Sequence, residues 1–141
     1  MKKSVFNLFV FMFLFALTAC DNDDCSCDDE IYGKWEAKEF MSIESVLYVK
    51  NNDYNPVIEF KNDGSYHLGL DVNTCFGDFD LEENQVLSIS DAGCTEACCD
   101  SDFSQKFTSM LPQVSGYEIE TSTLILEVEG WGWIELARVS E

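Results

Sequence analysis

The sequence predicts a mainly β protein: a small antiparallel β-barrel of about eight strands with one helix near residues 101–111. Three observations point there. Apolar and polar residues alternate with period two in several short runs between residues 33 and 136. Turn residues separate those runs, most clearly Asn62-Asp63-Gly64, where Asp and Gly tolerate positive φ. One stretch departs from the alternation: Phe103, Phe107, Met110 and Leu111 follow the i, i+4, i+7, i+8 spacing of a helix face. Strands at regular spacing with turn signals between them favour a closed or nearly closed sheet.

The chain opens with a segment to be set aside before the fold is considered. Lys2 and Lys3 precede an apolar, Phe-rich run from Val5 to Leu17, and Leu17-Thr18-Ala19-Cys20 follows. A basic start, a short apolar run and small residues before a cysteine read as a bacterial lipoprotein signal, residues 1–19. The run is shorter than the ~20 residues of a membrane-spanning helix. Cleavage leaves Cys20 as the lipid attachment site, and several acyl chains on one residue anchor a protein stably. Residues 20–30 then form an acidic lipidated tether. Its DNDDCSCDDE run has no large apolar side chain, so it reads as a solvated spacer, without the spacing of a calcium loop.

The folded domain is expected over residues 31–141. Gly33–Lys38 alternates as a strand, and Val46–Val49 is a second short apolar segment. Pro56 opens the next strand, where its missing N–H does least harm, and the run continues to Lys61. Ser65–Leu68 returns after the Asn62–Gly64 turn. Gly77–Leu81 and Val86–Ile89 flank a turn at Glu83-Asn84. Asp100 or Ser101 supplies a side-chain oxygen to cap the helix, and Pro112 ends it. Tyr117–Ile119 pairs with Thr123–Leu126 across Thr121-Ser122. Trp133–Leu136 closes the chain after the Gly130–Gly132 turn.

Charge excludes one class of partner. The chain has 27 acidic against 8 basic residues, a formal charge of −19, and losing Lys2 and Lys3 deepens it. Phosphate backbones are bound through Lys and Arg, so no nucleic-acid partner is expected. Anionic head groups are repelled for the same reason. Seven cysteines are present, six besides Cys20: Cys25, Cys27, Cys75, Cys94, Cys98 and Cys99. An even set in an exported chain favours disulfides, and six allow fifteen connectivities. The vicinal pair Cys98 and Cys99 is expected to bond to separate partners. A cross-link from this cluster to the Cys75 region would clamp the loop before the helix. Cys25 and Cys27 could hold the tether to the barrel or pair between tethers.

A further set of residues matches a known family. Gly33-x-Trp35, Val57-Ile58-x-Phe60-x-x-Asp63-Gly64, Asn73-x-x-x-Gly77-x-Phe79, Thr95-x-x-Cys98, Leu111-x-x-Val114-x-x-Tyr117 and Leu124-x-Leu126 occur in this order. Together they resemble the META domain, a family that includes the HslJ-like envelope lipoproteins of bacteria. The resemblance covers Ile31 to Val139. It implies a small antiparallel barrel carrying one helix, a link to envelope stress tolerance and no shared catalytic residue. The family's usual Gly-Cys-Asn is replaced here by Asp71-Val72-Asn73, with the cysteine displaced to Cys75. Cys98 is doubled by Cys99, and Cys94 is additional, so the family's cross-link partners do not transfer. Asp21-Asn22-Asp23-Asp24 resembles the surface-export signals of Bacteroidota lipoproteins, whereas in enterobacteria Asp after the lipidated cysteine signals inner-membrane retention. The outer membrane is the expected location, with an outward-facing position left open.

No residue set names a reaction. His67 is the sole histidine, and no Ser-His-Asp spacing around it rises above chance. Carboxylate neighbours such as Glu82/Glu83 and Asp28/Asp29 are ordinary in a chain this acidic. Trp131-Gly132-Trp133 reads as one ring in the core and one over a barrel end, with ligand stacking as the alternative. The expected function is therefore a non-catalytic binding or structural module with no cofactor. It is held to the membrane through the lipid on Cys20 and serves an envelope protein or small ligand. Two other functions stay open. A carrier using the barrel interior requires an apolar cavity in place of a core filled by Phe60, Phe79 and Leu126. A thiol-based metal-handling protein requires reduced cysteines, since soft thiolates select zinc or copper.

Overall fold

The computed structural model describes residues 31–43, 46–50 and 54–140. The leader, the tether, Cys20, Cys25 and Cys27 lie outside the described residues. The strands are β1 (Gly33–Ser42), β2 (Val57–Phe60), β3 (Ser65–Gly69), β4 (Thr74–Glu82), β5 (Val86–Ile89), β6 (Gly93–Cys94), β7 (Val114–Glu120), β8 (Thr123–Val128) and β9 (Gly132–Arg138). The helix α1 spans Asp102–Met110. Hydrogen-bonded order is β5-β4-β3-β2-β1-β9-β8-β7, all antiparallel, with the two-residue β6 added beside β4. The end strands β5 and β7 lie against each other, so the sheet curls into a nearly closed barrel.

Two bulges set which side chains enter it. In β1, Trp35 and Ala37 point inward, and strict alternation would turn Phe40 out. The register shifts between Ala37 and Glu39, and this extra residue flips the phase so that Phe40 packs on the core. The shift between Val114 and Gly116 in β7 does the same, and both Val114 and Tyr117 are buried. Neither bulge is visible in the alternation alone.

Apolar side chains fill the interior. Trp35, Ile58, Phe60, Leu68, Leu124, Leu126, Ile134 and Leu136 are essentially inaccessible, and Phe79 is nearly so. Phe60 meets Phe79 edge-on at 4.9 Å. Trp35 Nε1 donates to the Ile31 carbonyl at 2.7 Å, which satisfies its one polar atom. The interior is thus a packed core, the arrangement that argues against a carrier using it as a cavity.

The local expectations hold for most elements. Ser101 caps α1, its Oγ accepting from the Ser104 N–H at 3.3 Å. Phe103, Phe107 and Met110 are buried on one helix face. Pro112 sits in a 3₁₀ turn, Leu111–Gln113, that ends the helix. Asn84 and Gln85 adopt positive φ in the turn between β4 and β5, as does Thr121 between β7 and β8. Val46–Val49 differs from the strand pattern around it. These residues take irregular backbone, and Val46, Leu47 and Val49 are exposed. Among the described residues no strand pairs with them; the Val49 carbonyl accepts from the Phe103 N–H at 3.1 Å.

Gly77 illustrates how tightly β3 and β4 approach. It lies directly opposite Tyr66, and a Cβ at Gly77 would stand 2.6 Å from the Tyr66 ring. The ring covers the glycine, and its hydroxyl donates to the Ser90 carbonyl at 3.1 Å. Gly77→Ala must displace that ring. The expected loss is about 1–3 kcal/mol, read as a lower urea midpoint with unchanged slope.

Candidate functional site

Two regions carry polar or aromatic groupings beyond what the barrel requires. The first is the junction of the β3–β4 turn with the cysteine loop. Asn73 is buried there, and its carboxamide uses all four bonding positions. Nδ2 donates to the Ala97 carbonyl at 2.7 Å and to Asp100 Oδ2 at 2.6 Å. Oδ1 accepts from Thr95 Oγ1 and from the Ala97 N–H, both at 2.8 Å. Asp100 Oδ1 also accepts the N–H of Val72 at 2.9 Å. A buried amide satisfied this fully fixes both loops at once.

Asp71 extends the junction to the helix. Its Oδ2 accepts from the Ser101 N–H at 2.9 Å and from Ser101 Oγ at 2.8 Å. Burial pushes its carboxyl pKa upward. Hydrogen bonds from the Ser104 side chain and from Ser101 outweigh that and hold it below its ordinary value. The carboxylate also sits at the N-terminus of α1, where the helix dipole favours negative charge.

The cysteines divide by position. Cys75 and Cys94 are directly opposite in the β4–β6 ladder, with Cα atoms 4.0 Å apart, and are joined by a disulfide. Their bond ties the loop before the helix to β4. Cys98 and Cys99 are bonded to each other, which corrects the expectation of separate partners. Cys75, the partner region expected for this cluster, is taken by Cys94. All four cysteines among the described residues are thus in disulfides. Among those residues no group of three or more His, Cys, Asp or Glu is placed to hold a metal ion.

The second region is an aromatic cluster at the far end of β1. Phe40 stacks on Phe103 at 4.5 Å and meets Tyr48 and Trp131 edge-on at 5.5 and 5.9 Å. Lys50 Nζ lies 4.5 Å from the Phe103 centroid, and Lys106 Nζ lies 4.9 Å from that of Trp131. Trp131 packs on the core edge, as one ring of the pair was expected to. Trp133 does not cover a barrel end. It lies on the outer sheet face, 42% exposed, because β9 alternates Trp133 out and Ile134 in. The His67 ring lies tilted beside that of Phe76, with centroids 4.9 Å apart, on the outer side of the sheet. Glu82 ends β4 and Glu83 begins the next turn, without a facing acid–base partner between them.

Sequence reading did not find the Asn73–Asp100 junction or the aromatic cluster. Asn73 was in the family pattern, but its partners lie more than twenty residues away. Phe40 was hidden by the bulge.

A family model described as META domain matches residues 29–139, and the chain belongs to that family. Two solved structures share the fold. One is a duf4847 family protein from Bacteroides vulgatus, with 17% identity and a TM-score of 0.58. That match covers 81% of this chain and 99% of that one. The other is a protein from Burkholderia xenovorans, with 12% identity, a TM-score of 0.65, and coverage of 82% and 88%. None of the curated proteins matches the chain in sequence.

Two outcomes follow. Asn73→Ala leaves the Ala97 N–H, the Ala97 carbonyl and Asp100 Oδ2 without their Asn73 partner and costs about 2–3 kcal/mol; hydrogen exchange should accelerate across 94–100 before the barrel strands. Asp71 has a lowered folded pKa, so its contribution is present above the ordinary Asp range and lost as pH falls through the folded value. Asp71→Asn should therefore flatten the decline in stability below about pH 4 in acid-unfolding curves.

Proposed function

We propose that this META-domain protein is a lipid-anchored, non-catalytic binding module of the bacterial envelope. Cys20 carries the lipid, residues 20–30 give reach, and the barrel presents a rigid surface to a partner protein. The outer membrane, outward-facing, is the proposed location, and envelope stress tolerance the proposed process.

One observation carries the reading. An otherwise strongly charged domain exposes a set of large apolar side chains at one end. Ile43 is 85% and Leu47 87% exposed, and Val46, Val49, Met41 and Trp133 are also open to solvent. Exposed apolar groupings of this kind on soluble domains mark interaction sites. The packed interior favours that surface over a ligand inside the barrel. The disulfides favour a fixed scaffold over a thiolate metal site.

The anchor is tested by mass. Protein extracted from its own membrane and left unreduced should begin at Cys20 and carry acyl mass there. Cys20→Ser should move the chain from the membrane to the soluble fraction. A mature chain that keeps its leader, or a variant that stays membrane-bound, overturns the anchored reading. Cross-linking the intact lipoprotein in its membrane should trap a partner through the Ile43–Trp133 end, and turnover of a compound by the purified chain would overturn the non-catalytic part.

A further inference from the structure

A groove of about 700 Å³ runs over the outer face of β8 and β9 beside the Gly130–Gly132 turn. Ile43, Ile125 and Trp133 give it apolar ground, and Glu118, Glu127 and Glu129 line it with carboxylates. No Lys or Arg is among its lining residues. Strand register creates this mixture. Glu127 is directly opposite Trp133, and Ile125 is opposite both Glu118 and Glu135. Trp133 in turn faces Met41 on β1, and Glu135 faces Glu39.

We propose that this groove binds a basic peptide segment of a partner protein, one carrying apolar side chains next to its Lys or Arg. The inference rests on the binding-module reading and gives that module its ligand class. Charge selects the occupant. A second copy of a chain with a formal charge of −19 is repelled, and so are phosphates and anionic lipid surfaces. A cation is attracted by the whole domain and meets the Trp133 face beside Glu127. Shape selects a polymer. Small-molecule sites enclose most of their ligand, whereas this groove is open along a sheet face. Position agrees. Ile31, the first described residue, adjoins the Gly33 end of β1, and the groove lies by Ser42 and Gly132 at the other end, roughly 30 Å away along a ten-residue strand. The groove therefore lies at the opposite end of β1 from the point where the proposed tether joins the domain.

The test uses the full-length chain and a fluorescent peptide alternating Lys and Leu, followed by anisotropy at low and high salt. Binding should be saturable and weaken with salt. Glu118→Gln with Glu127→Gln should weaken it about tenfold, and Trp133→Ala should do so at either salt concentration. Asp80→Asn with Glu82→Gln removes the same charge from a different part of the barrel and should leave binding within about twofold. A Lys–Ser peptide should bind more weakly than Lys–Leu, and a Glu–Leu peptide not at all. Melting curves check that each variant is folded, and Trp133→Ala serves if the double variant is not. Equal weakening by the Asp80/Glu82 pair, or equal binding of the Lys–Ser peptide, overturns the proposal as non-specific charge attraction. Failure of the Lys–Leu peptide to bind also overturns it. If cross-linking through the Ile43–Trp133 end still traps a partner, the binding-module reading survives that failure; if it traps none, both fall.

Discussion

The arrangement of this barrel depends on one carboxamide. Asn73 joins the β3–β4 turn to Ala97 and Asp100, and Asp71 joins the same turn to the first residue before α1. Together they fix where the helix begins. The helix start then sets Phe103, which stacks on Phe40, which in turn meets Trp131. Trp131 opens the turn whose far side presents Trp133 to solvent. A polar junction at one loop is thus coupled by contact to the exposed aromatic end. Buried polar groups hold such a chain only when each has its partner, and here every position of the amide is used.

The same end of the molecule shows how a filled barrel leaves its chemistry to the surface. Side chains occupy the interior, and two bulges keep the inward phase correct where alternation would fail. Charged side chains are pushed outward by that packing. The acidic excess is consequently a property of the outer face, while three of the few lysines, Lys38, Lys50 and Lys106, gather around the aromatic cluster. Lys50 reaches back to the Lys38 carbonyl, and Lys38 pairs with Glu36. The cluster and the groove beyond it therefore differ in sign: cations cover the aromatic rings on one side, and carboxylates ring Trp133 on the other.

The disulfides act on the same junction. Cys75–Cys94 ties β6 to β4, and Asn73 holds the loop beyond it. A covalent closure limits the freedom of the unfolded chain, and the hydrogen bonds specify how the loop lies. The family pattern places its cysteine beside the asparagine. Here valine stands at position 72, and Cys75, two residues beyond Asn73, faces Cys94.

Most of the fold was legible because its signals are local. Period two gave the strands, Asn62-Asp63-Gly64 the hairpin, and the spacing of Phe103, Phe107 and Met110 the helix, since side-chain direction follows backbone repeat. The acidic composition and the cysteine count were equally plain. What the sequence could not supply was register and phase. Whether Phe40 points in depends on one extra residue in β1, whether Cys98 can reach Cys75 depends on what stands opposite Cys75, and whether Glu127 neighbours Trp133 depends on how β8 lies against β9. These are contacts between residues far apart in the chain, decided by how the whole sheet closes over its core, and no local window of residues contains them.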